Sequence, residues 1–195
     1  MKIENGIVYL QNILDPFDWS VIFPDSHPVV LDLGAGDGGF AAEYATLHRD
    51  RNILAVERLL GRARKIGRKS VRFNLPNLRV VRLESTYLLR HLIPTGSVAE
   101  IHVLFPDPWP KKRHQDRRII QGPFLESVSR NLVPGGLFRF VTDHEEYFQW
   151  ALPTLQQAPF FRQVAASDYP HTDFEKEFRA LGKPIYEWVS QRLDS

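Results

Sequence analysis

The chain has 195 residues, 43% of them hydrophobic, with 25 Lys and Arg, 23 Asp and Glu, and no cysteine. This length suits one α/β domain covering residues 1–195, and no apolar run approaches the roughly 18 residues of a membrane span. Without cysteine the chain can form neither a disulfide, a thiolate nucleophile nor a cysteine-ligated metal site, and we expect no metal. The N-terminus lacks a secretory pattern, so we expect a cytoplasmic protein without a membrane partner.

Apolar runs alternate with helical patterns from residue 29 onward. Residues 1–28 are interpreted as an N-terminal arm, and residues 29–195 as the core of the domain. The predicted strands are 29–33, 52–56, 78–83, 99–105, 137–141, 160–165 and 184–190. The predicted helices are 38–47, 58–73, 85–93, 119–132 and 144–157, and residues 168–175 form a polar excursion. This alternation predicts a doubly wound, Rossmann-like α/β fold with a mostly parallel, seven-stranded sheet.

A glycine-rich turn follows the first predicted strand of the core. Gly34, Gly36 and Gly39 match the pattern G-x-G-x-x-G between a strand and a helix, and Glu57 ends the next strand. An acid at about that distance binds ribose hydroxyls in dinucleotide-binding folds. The turn therefore predicts a nucleoside cofactor.

Two carboxylates next to this turn distinguish between cofactors. Asp32 and Asp37 would repel the pyrophosphate of NAD, whereas the ammonium and sulfonium of S-adenosylmethionine would be attracted to them. The alternative is that both aspartates only cap the turn. We favour S-adenosylmethionine. Glu84, just after the third strand, is a candidate for the adenine amino group, with an ordinary surface glutamate as the alternative.

Positive charge is concentrated in two segments. Residues 58–72 hold seven Lys and Arg and no acid, and residues 111–118 hold five more. In the first segment the basic residues 58, 62, 65, 69 and 72 form one helical stripe opposite apolar 59, 63, 66 and 70. Such clusters suit a polyanion, although a solvated helix face is the alternative for the first segment. Its RNA-contact candidates are Arg62, Lys65 and Lys69.

The fourth core strand runs directly into a proline-framed loop. Pro106, Pro108 and Pro110 stiffen the chain around Asp107 and Trp109, at the sheet edge where open α/β folds bind ligands. Trp109 could stack on a base while the cations behind it hold phosphates. The alternative is a purely structural surface loop. The RNA-contact candidates here are Trp109, Lys112, Arg113, His114, Arg117 and Arg118. By contrast, His102 lies within an apolar strand and is expected to be a core residue.

These blocks together resemble the bacterial tRNA (guanine-N7)-methyltransferases from about residue 29 to the C-terminus. The matching blocks are 31–34 with Glu57, 105–114 with 117–118, Thr142-Asp143, and Thr172-Asp173-Phe174-Glu175. The chain departs from the family's more common residues at Asp32 and Glu84. It also has a short N-terminal arm.

The resemblance implies a class I S-adenosylmethionine-dependent methyltransferase fold and methylation of a variable-loop guanine in tRNA. It implies that Asp107 is the catalytic residue. The cofactor pocket would be lined by Asp32, Gly34, Gly36, Glu57, Glu84 and Asp107. The substrate would be contacted by Lys111, Asp143, Thr172, Asp173, Phe174 and Glu175.

Other functions stay open from the sequence alone. An NAD-dependent oxidoreductase requires Asp32 to point away from the cofactor, and a non-catalytic RNA-binding module leaves the intact Asp107 loop unexplained. A methyltransferase for another RNA, a protein or a small-molecule nitrogen fits the Asp107 loop, but it does not need so many clustered cations. The sequence leaves a monomer and a homodimer equally open.

Overall fold

The structure is a computed structural model that describes residues 1–194. Its strands are β1 (Lys2–Glu4), β2 (Ile7–Tyr9), β3 (Val29–Leu33), β4 (Asn52–Val56), β5 (Leu78–Val81), β6 (Val98–Leu104), β7 (Leu132–Thr142), β8 (Phe161–Gln163) and β9 (Tyr186–Arg192). Its α-helices are α1 (Trp19–Ile22), α2 (Gly39–Leu47), α3 (Leu60–Arg72), α4 (Ser85–His91), α5 (Gly122–Asn131), α6 (Glu145–Gln156) and α7 (Asp173–Ala180). A short 3-10 helix covers Lys112–Arg117.

One sheet contains all the strands in the order β1-β2-β5-β4-β3-β6-β7-β9-β8. The strands from β2 to β7 in this order pair in parallel, while β1, β8 and β9 are antiparallel to their neighbours. The chain builds outward from β3 to one side and then returns to β6 on the other. The strand order therefore reverses between β3 and β6, and ligands of doubly wound folds bind outside the carboxyl ends of the strands at such a point.

Helices cover both faces of the sheet. Apolar residues of β3 and β4 alternate between two cores because successive side chains of a strand point to opposite faces. One core packs the sheet against α4, α5 and α6, and the other packs it against α2 and α3. Strands buried on both faces carry continuous apolar runs, which is why this part of the fold is predictable from sequence.

The sheet has more strands than the seven predicted. Residues 2–9, assigned to an N-terminal arm outside the core, form a hairpin that extends the sheet beside β5. Asn5 and Gly6 form its turn with φ of +50° and +75°, the left-handed conformation that two-residue hairpins prefer. The Asn-Gly pair was a readable signal for this hairpin, but strands of three residues show too little alternation to be recognised.

The polar excursion contains another element that was not predicted. Thr172 caps helix α7 by accepting a hydrogen bond from the backbone N–H of Glu175 at 3.0 Å. Thr172-x-x-Glu175 has the capping-box spacing that precedes many helices. Within residues 1–194, no helix is long and apolar enough to cross a membrane.

Candidate active site

Two cavities adjoin at the carboxyl edge of the sheet, where β3 and β6 end. The first, of about 290 Å³, is lined among others by Glu57, Glu84, Asp107 and Trp109. The second, of about 510 Å³, collects these predicted site residues: Asp32, Gly34, Gly36, Asp143, Thr172, Asp173 and Phe174. Both cavities are lined by Gly34, Arg62, Phe105 and Pro106. The fold thus brings into one site residues that are up to 142 positions apart in the chain.

Asp32 lies in β3, with β4 on one side and β6 on the other. Its side chain is buried, the residue being 2% exposed, and its Oδ2 atom has no hydrogen-bond partner among the described residues. Burial, followed by the charge of Glu57, raises the pKa of Asp32 to about 7. A buried carboxylate oxygen without a partner costs free energy, and a cationic ligand in the second cavity would remove that cost.

Glu57 organises the glycine turn. One carboxylate oxygen accepts a hydrogen bond from the backbone N–H of Gly36 at 3.0 Å, and the other accepts from that of Leu59 at 2.7 Å. Gly36 has a φ of +56°, which a residue with a Cβ adopts only at a cost. Glu57 therefore fixes the turn next to Asp32 while it also lines the first cavity.

Asp37 does not share the environment of Asp32. It is exposed, and its carboxylate lies 2.7 Å from Nζ of Lys65 and 3.8 Å from Nε of Arg62. These cations hold the pKa of Asp37 below its usual range, the hydrogen bond from Lys65 being the main cause. Because Asp37 is already paired with two cations, it attracts a cationic cofactor less than its position in the sequence implies. The electrostatic preference for S-adenosylmethionine over NAD therefore rests on Asp32.

Glu84 borders the first cavity but has a structural task as well. Both of its carboxylate oxygens accept backbone hydrogen bonds at the start of α4, from Thr86 at 2.8 Å and from Tyr87 at 2.7 Å. Helix capping accounts for its carboxylate, so a contact to adenine would have to use the remaining lone pairs or the adjacent backbone.

The Asp107 loop is held in an uncommon backbone conformation. Phe105 and Trp109, which flank Asp107 at two residues' distance, have φ of +51° and +43°. Bulky residues adopt such angles only when the surroundings force them, and conformations of this kind concentrate at functional sites. Asp107 itself is exposed at the wall of the first cavity.

Trp109 is half-buried and already has a cationic neighbour. The guanidinium carbon of Arg117 lies 5.0 Å from the centre of an indole ring, and the His114 ring meets Trp109 edge-on at 5.9 Å. Base stacking on Trp109 would therefore have to use the other face of the indole or displace Arg117. Lys111, Lys112 and Arg113 are exposed around this loop.

Arg118 differs from the prediction that it contacts RNA. Its side chain is fully buried, and it donates hydrogen bonds to the carbonyl of Pro108 at 2.8 Å and to Glu146 at 2.9 Å. Its guanidinium also lies about 5 Å from the rings of Tyr147 and Trp150. A guanidinium enclosed in this way cannot reach a phosphate, so Arg118 supports the proline-framed loop from below.

Glu175 likewise differs from its predicted role as a substrate contact. It is 0% exposed, and its carboxylate accepts hydrogen bonds from the Tyr169 hydroxyl and from Arg179. The neighbouring predicted residues Thr172, Asp173 and Phe174 do line the second cavity. Gly39 allows this arrangement, since a Cβ there would lie 2.7 Å from the Asp173 carboxylate.

The charged stripe of α3 is formed as predicted except at its first position, because Arg58 precedes the helix, which begins at Leu60. Ala63, Ile66 and Ser70 are buried, and the Lys and Arg side chains of the helix lie on its exposed side. Leu59 is a second exception, because it caps the helix and is exposed. His102 is a core residue, as predicted, with Nε2 3.1 Å from Glu100. Burial lowers the pKa of His102.

Residues 26–188 match the family model described as "Putative methyltransferase". A tRNA (guanine-N(7)-)-methyltransferase of Thermotoga maritima is 34% identical over 182 residues, covering 91% of this chain and 58% of that protein. The enzyme of the same name from Vibrio vulnificus is 35% identical over 204 residues, covering 96% of this chain and 81% of its own length.

Solved structures with the same fold include rRNA methyltransferases. The 16S rRNA methyltransferase KamB has a TM-score of 0.67 at 18% identity, with 90% of this chain and 93% of that chain covered. A mutant 16S rRNA (adenine(1408)-N(1))-methyltransferase from Catenulisporales acidiphilia with cosubstrate SAM has a TM-score of 0.63 at 15% identity, with 90% of each chain covered. The fold is that of class I S-adenosylmethionine-dependent methyltransferases.

Proposed function

The chain belongs to the tRNA (guanine-N7)-methyltransferase family, whose reaction is methylation of N7 of a guanine in tRNA, and we propose that it performs this reaction at the two joined cavities. The methyl donor is S-adenosylmethionine, and the acceptor is a guanine of the tRNA variable loop. We propose that the reaction takes place in the cytoplasm, in keeping with a tRNA substrate. The observation that carries the assignment is the buried Oδ2 of Asp32 beside the glycine turn, an atom that has no hydrogen-bond partner within residues 1–194.

The residues present fit S-adenosylmethionine. Asp32 would receive the ammonium of the methionine part, and that contact would supply the partner that its Oδ2 lacks. Gly34 and Gly36 would form the floor under the cofactor, Glu57 would face the ribose, and Glu84 would lie at the adenine end. A pyrophosphate in the same place would meet the buried carboxylate of Asp32, which disfavours NAD.

S-adenosylmethionine supplies an electrophilic methyl group on a positively charged sulfur. Guanine N7 carries a free lone pair at neutral pH, so no residue has to remove a proton from it. The task of the protein is to orient the base, to exclude water and to stabilise the charge that the purine gains. We assign the electrostatic part to Asp107, whose loop is stiffened by its prolines and supported from below by Arg118, which donates a hydrogen bond to the Pro108 carbonyl.

The second cavity has suitable walls for the acceptor base. Asp143 and Asp173 supply carboxylates, which can accept hydrogen bonds from the N–H groups of guanine. Phe174, which is exposed and contacts Phe105 with ring centres 5.1 Å apart, offers an aromatic surface. The exposed cations Lys111, Lys112 and Arg113, together with Arg62 and Lys69, would hold tRNA phosphates around the entrance.

Incubation with an unmodified tRNA transcript and methyl-labelled S-adenosylmethionine, followed by nucleoside analysis, tests the function. We expect the label in 7-methylguanosine, and none in a matched transcript whose variable-loop guanine is replaced by adenine. Label in a different nucleoside would move the assignment to another RNA methylation. No label with either transcript, while the protein binds S-adenosylmethionine, would contradict the tRNA assignment.

A further inference from the structure

A buried polar network lies behind α7, outside the two cavities. Arg139 of β7 is 3% exposed and donates hydrogen bonds to the Ser167 carbonyl at 2.8 Å and to the Ser167 hydroxyl at 3.0 Å. It also forms an ion pair with Glu187 of β9. Its guanidinium carbon lies 4.0 Å from the ring centre of Tyr169, close enough for a cation–π contact.

Tyr169 links Arg139 to helix α7. Its hydroxyl donates towards the two carboxylate oxygens of Glu175, at 2.9 and 2.8 Å. Nε and Nη2 of Arg179 donate hydrogen bonds to the Glu175 carboxylate at 2.9 and 2.7 Å. A continuous path of side chains thus leads from β7, through Arg139 and Tyr169, to Glu175.

Helix α7 depends on this path because it has little else to hold it. Glu175 is the only buried residue of α7, so the helix lacks an apolar face against the core. An eight-residue helix is marginal in water without tertiary contacts. Its other contacts include the exposed ion pair of Lys176 with Glu43, the contact of Phe174 with Phe105 and the close approach of Asp173 to Gly39. Surface ion pairs contribute little.

The N-terminal turn of α7 borders the second cavity. Thr172, Asp173 and Phe174 line it, and they directly precede the anchored Glu175. Any change in the position of Glu175 must therefore move these three residues. Asp32 and the glycine turn are held separately, by β3, β4 and Glu57, so they need not move with them.

We propose that Arg139 and Tyr169 are positioning residues that, through Glu175, hold the N-terminal turn of α7 where it meets the acceptor base. Neither residue lines either of the two cavities, so both act through the helix. That the ligand of this turn is a guanine of tRNA rests on the function proposed above. The holding of α7 itself does not depend on that function.

Tyr169→Phe isolates the central link. The phenyl ring keeps its place over Arg139, while Glu175 loses one hydrogen-bond donor in a buried position. The matched control is Tyr44→Phe, because Tyr44 belongs to the apolar core against which Tyr169 packs, and its hydroxyl interacts with Glu100 of β6 and not with Glu175. Both variants delete one hydroxyl from the same face of the sheet.

Hydrogen exchange of the ligand-free proteins tests the holding of α7. We expect the amides of residues 173–180 to exchange about tenfold faster in Tyr169→Phe than in wild type, since a hydrogen bond to a charged group contributes at least that factor. The amides of β3 and β4 should be unchanged. Unchanged exchange in α7, or equal acceleration across the sheet and in Tyr44→Phe, would overturn the proposal.

Steady-state kinetics test the link to the substrate. We expect Tyr169→Phe to raise KM for tRNA about tenfold, leaving the Kd for S-adenosylmethionine within about twofold of wild type, while Tyr44→Phe changes neither. A merely structural loss would weaken both ligands together, and that result would overturn the positioning role. If wild type does not methylate tRNA, the proposed function fails, and the exchange result still decides whether the network holds α7.

Discussion

The two walls of the site are held by different forces. On one side, Asp32 and the glycine turn belong to the central parallel strands, whose backbone ladder and buried cores fix them. On the other side, the turn of α7 is held by a few side chains that end at Glu175. The first wall is therefore prepared before any ligand arrives. We expect a single substitution to shift the second.

Preparation of the first wall carries an energetic cost. A carboxyl group buried at the middle of the sheet loses its hydration, and the neighbouring Glu57 adds repulsion. No described residue offsets this cost by bonding Oδ2 of Asp32. The second wall shows the opposite arrangement, because both carboxylate oxygens of its buried Glu175 accept hydrogen bonds from Tyr169 or Arg179, and these bonds stabilise the fold. The comparison separates a buried carboxyl that we propose binds a ligand from one that stabilises the fold.

The largest expected effect comes from the loop between the walls. Asp107→Asn keeps size and hydrogen bonding but removes the charge, so methyl transfer in single-turnover experiments should slow by roughly 100-fold to 1,000-fold while tRNA stays bound. Since N7 has no proton to lose, raising the pH should not restore the rate. Near-normal transfer would remove Asp107 from the reaction, and alkaline rescue would make it a proton acceptor instead.

Asp32→Asn changes only the side of the site formed by β3 and the glycine turn. Removing a charge-assisted hydrogen bond should weaken S-adenosylmethionine binding by about 1.5 to 3 kcal/mol, measured by calorimetry. Glu57→Ala should weaken it over the same range, with added disorder in the glycine turn. Asp37→Asn is the matched control, because Asp37 is exposed and paired with Lys65. Equal losses of affinity at positions 32 and 37 would show that the paired, exposed carboxylate matters as much as the buried one.

The same Asp32→Asn substitution should stabilise the ligand-free protein at alkaline pH. The pKa of Asp32 is about 7 in the folded chain against an ordinary 3.8, so the folded state keeps a proton that the unfolded state has released. Stability from this group is therefore present at low pH and declines as pH rises from about 4 to 7. The free energy of unfolding of the variant should exceed that of wild type by on the order of 1 to 2 kcal/mol at pH 8, and by less at pH 4. The gain is limited because burying the amide of the variant side chain has a cost of its own.

Urea unfolding at both pH values measures the difference in unfolding free energy between variant and wild type. A difference that stays constant with pH would mean that Asp32 ionises as freely in the folded chain as in the unfolded one.

The smallest expected effect is on the salt dependence of tRNA binding, and it distinguishes the cations of the Asp107 loop from those of α3. Replacing Lys111, Lys112 and Arg113 by Ala should lower the slope of log K for tRNA against log salt by about 0.7 to 0.9 for each phosphate that the variant no longer neutralises. Replacing Arg62, Lys65 and Lys69 should lower it less, because Asp37 already pairs with Arg62 and Lys65. Unchanged slopes in both sets would identify the cations as a solvated surface.

The contrast between the walls also explains what the sequence could reveal. The parallel strands, their order of appearance and the glycine turn carry local patterns, so the sequence predicted that Asp32, Gly34 and Gly36 lie together at the edge of the sheet. The roles of Arg118 and Glu175 depend on partners 28 and 6 positions away, and a charged residue gives no local sign that it will be buried. The hairpin at Asn5-Gly6 and the cap at Thr172 did leave local signs, in segments too short or too polar to show periodicity.

The central proposal is that Asp32 binds a cationic cofactor. It is tested most directly by measuring how many protons the protein releases when S-adenosylmethionine binds. Near pH 6 the carboxyl is mostly protonated in the free protein, and contact with the cofactor's ammonium would ionise it, so binding should release close to one proton. Titration calorimetry with S-adenosylmethionine in buffers of different ionisation enthalpy gives this number. Wild type should release about one proton at pH 6, a fraction that shrinks towards pH 8, and Asp32→Asn should release almost none. Binding to wild type without proton release, or equal release by the variant, would contradict the assignment.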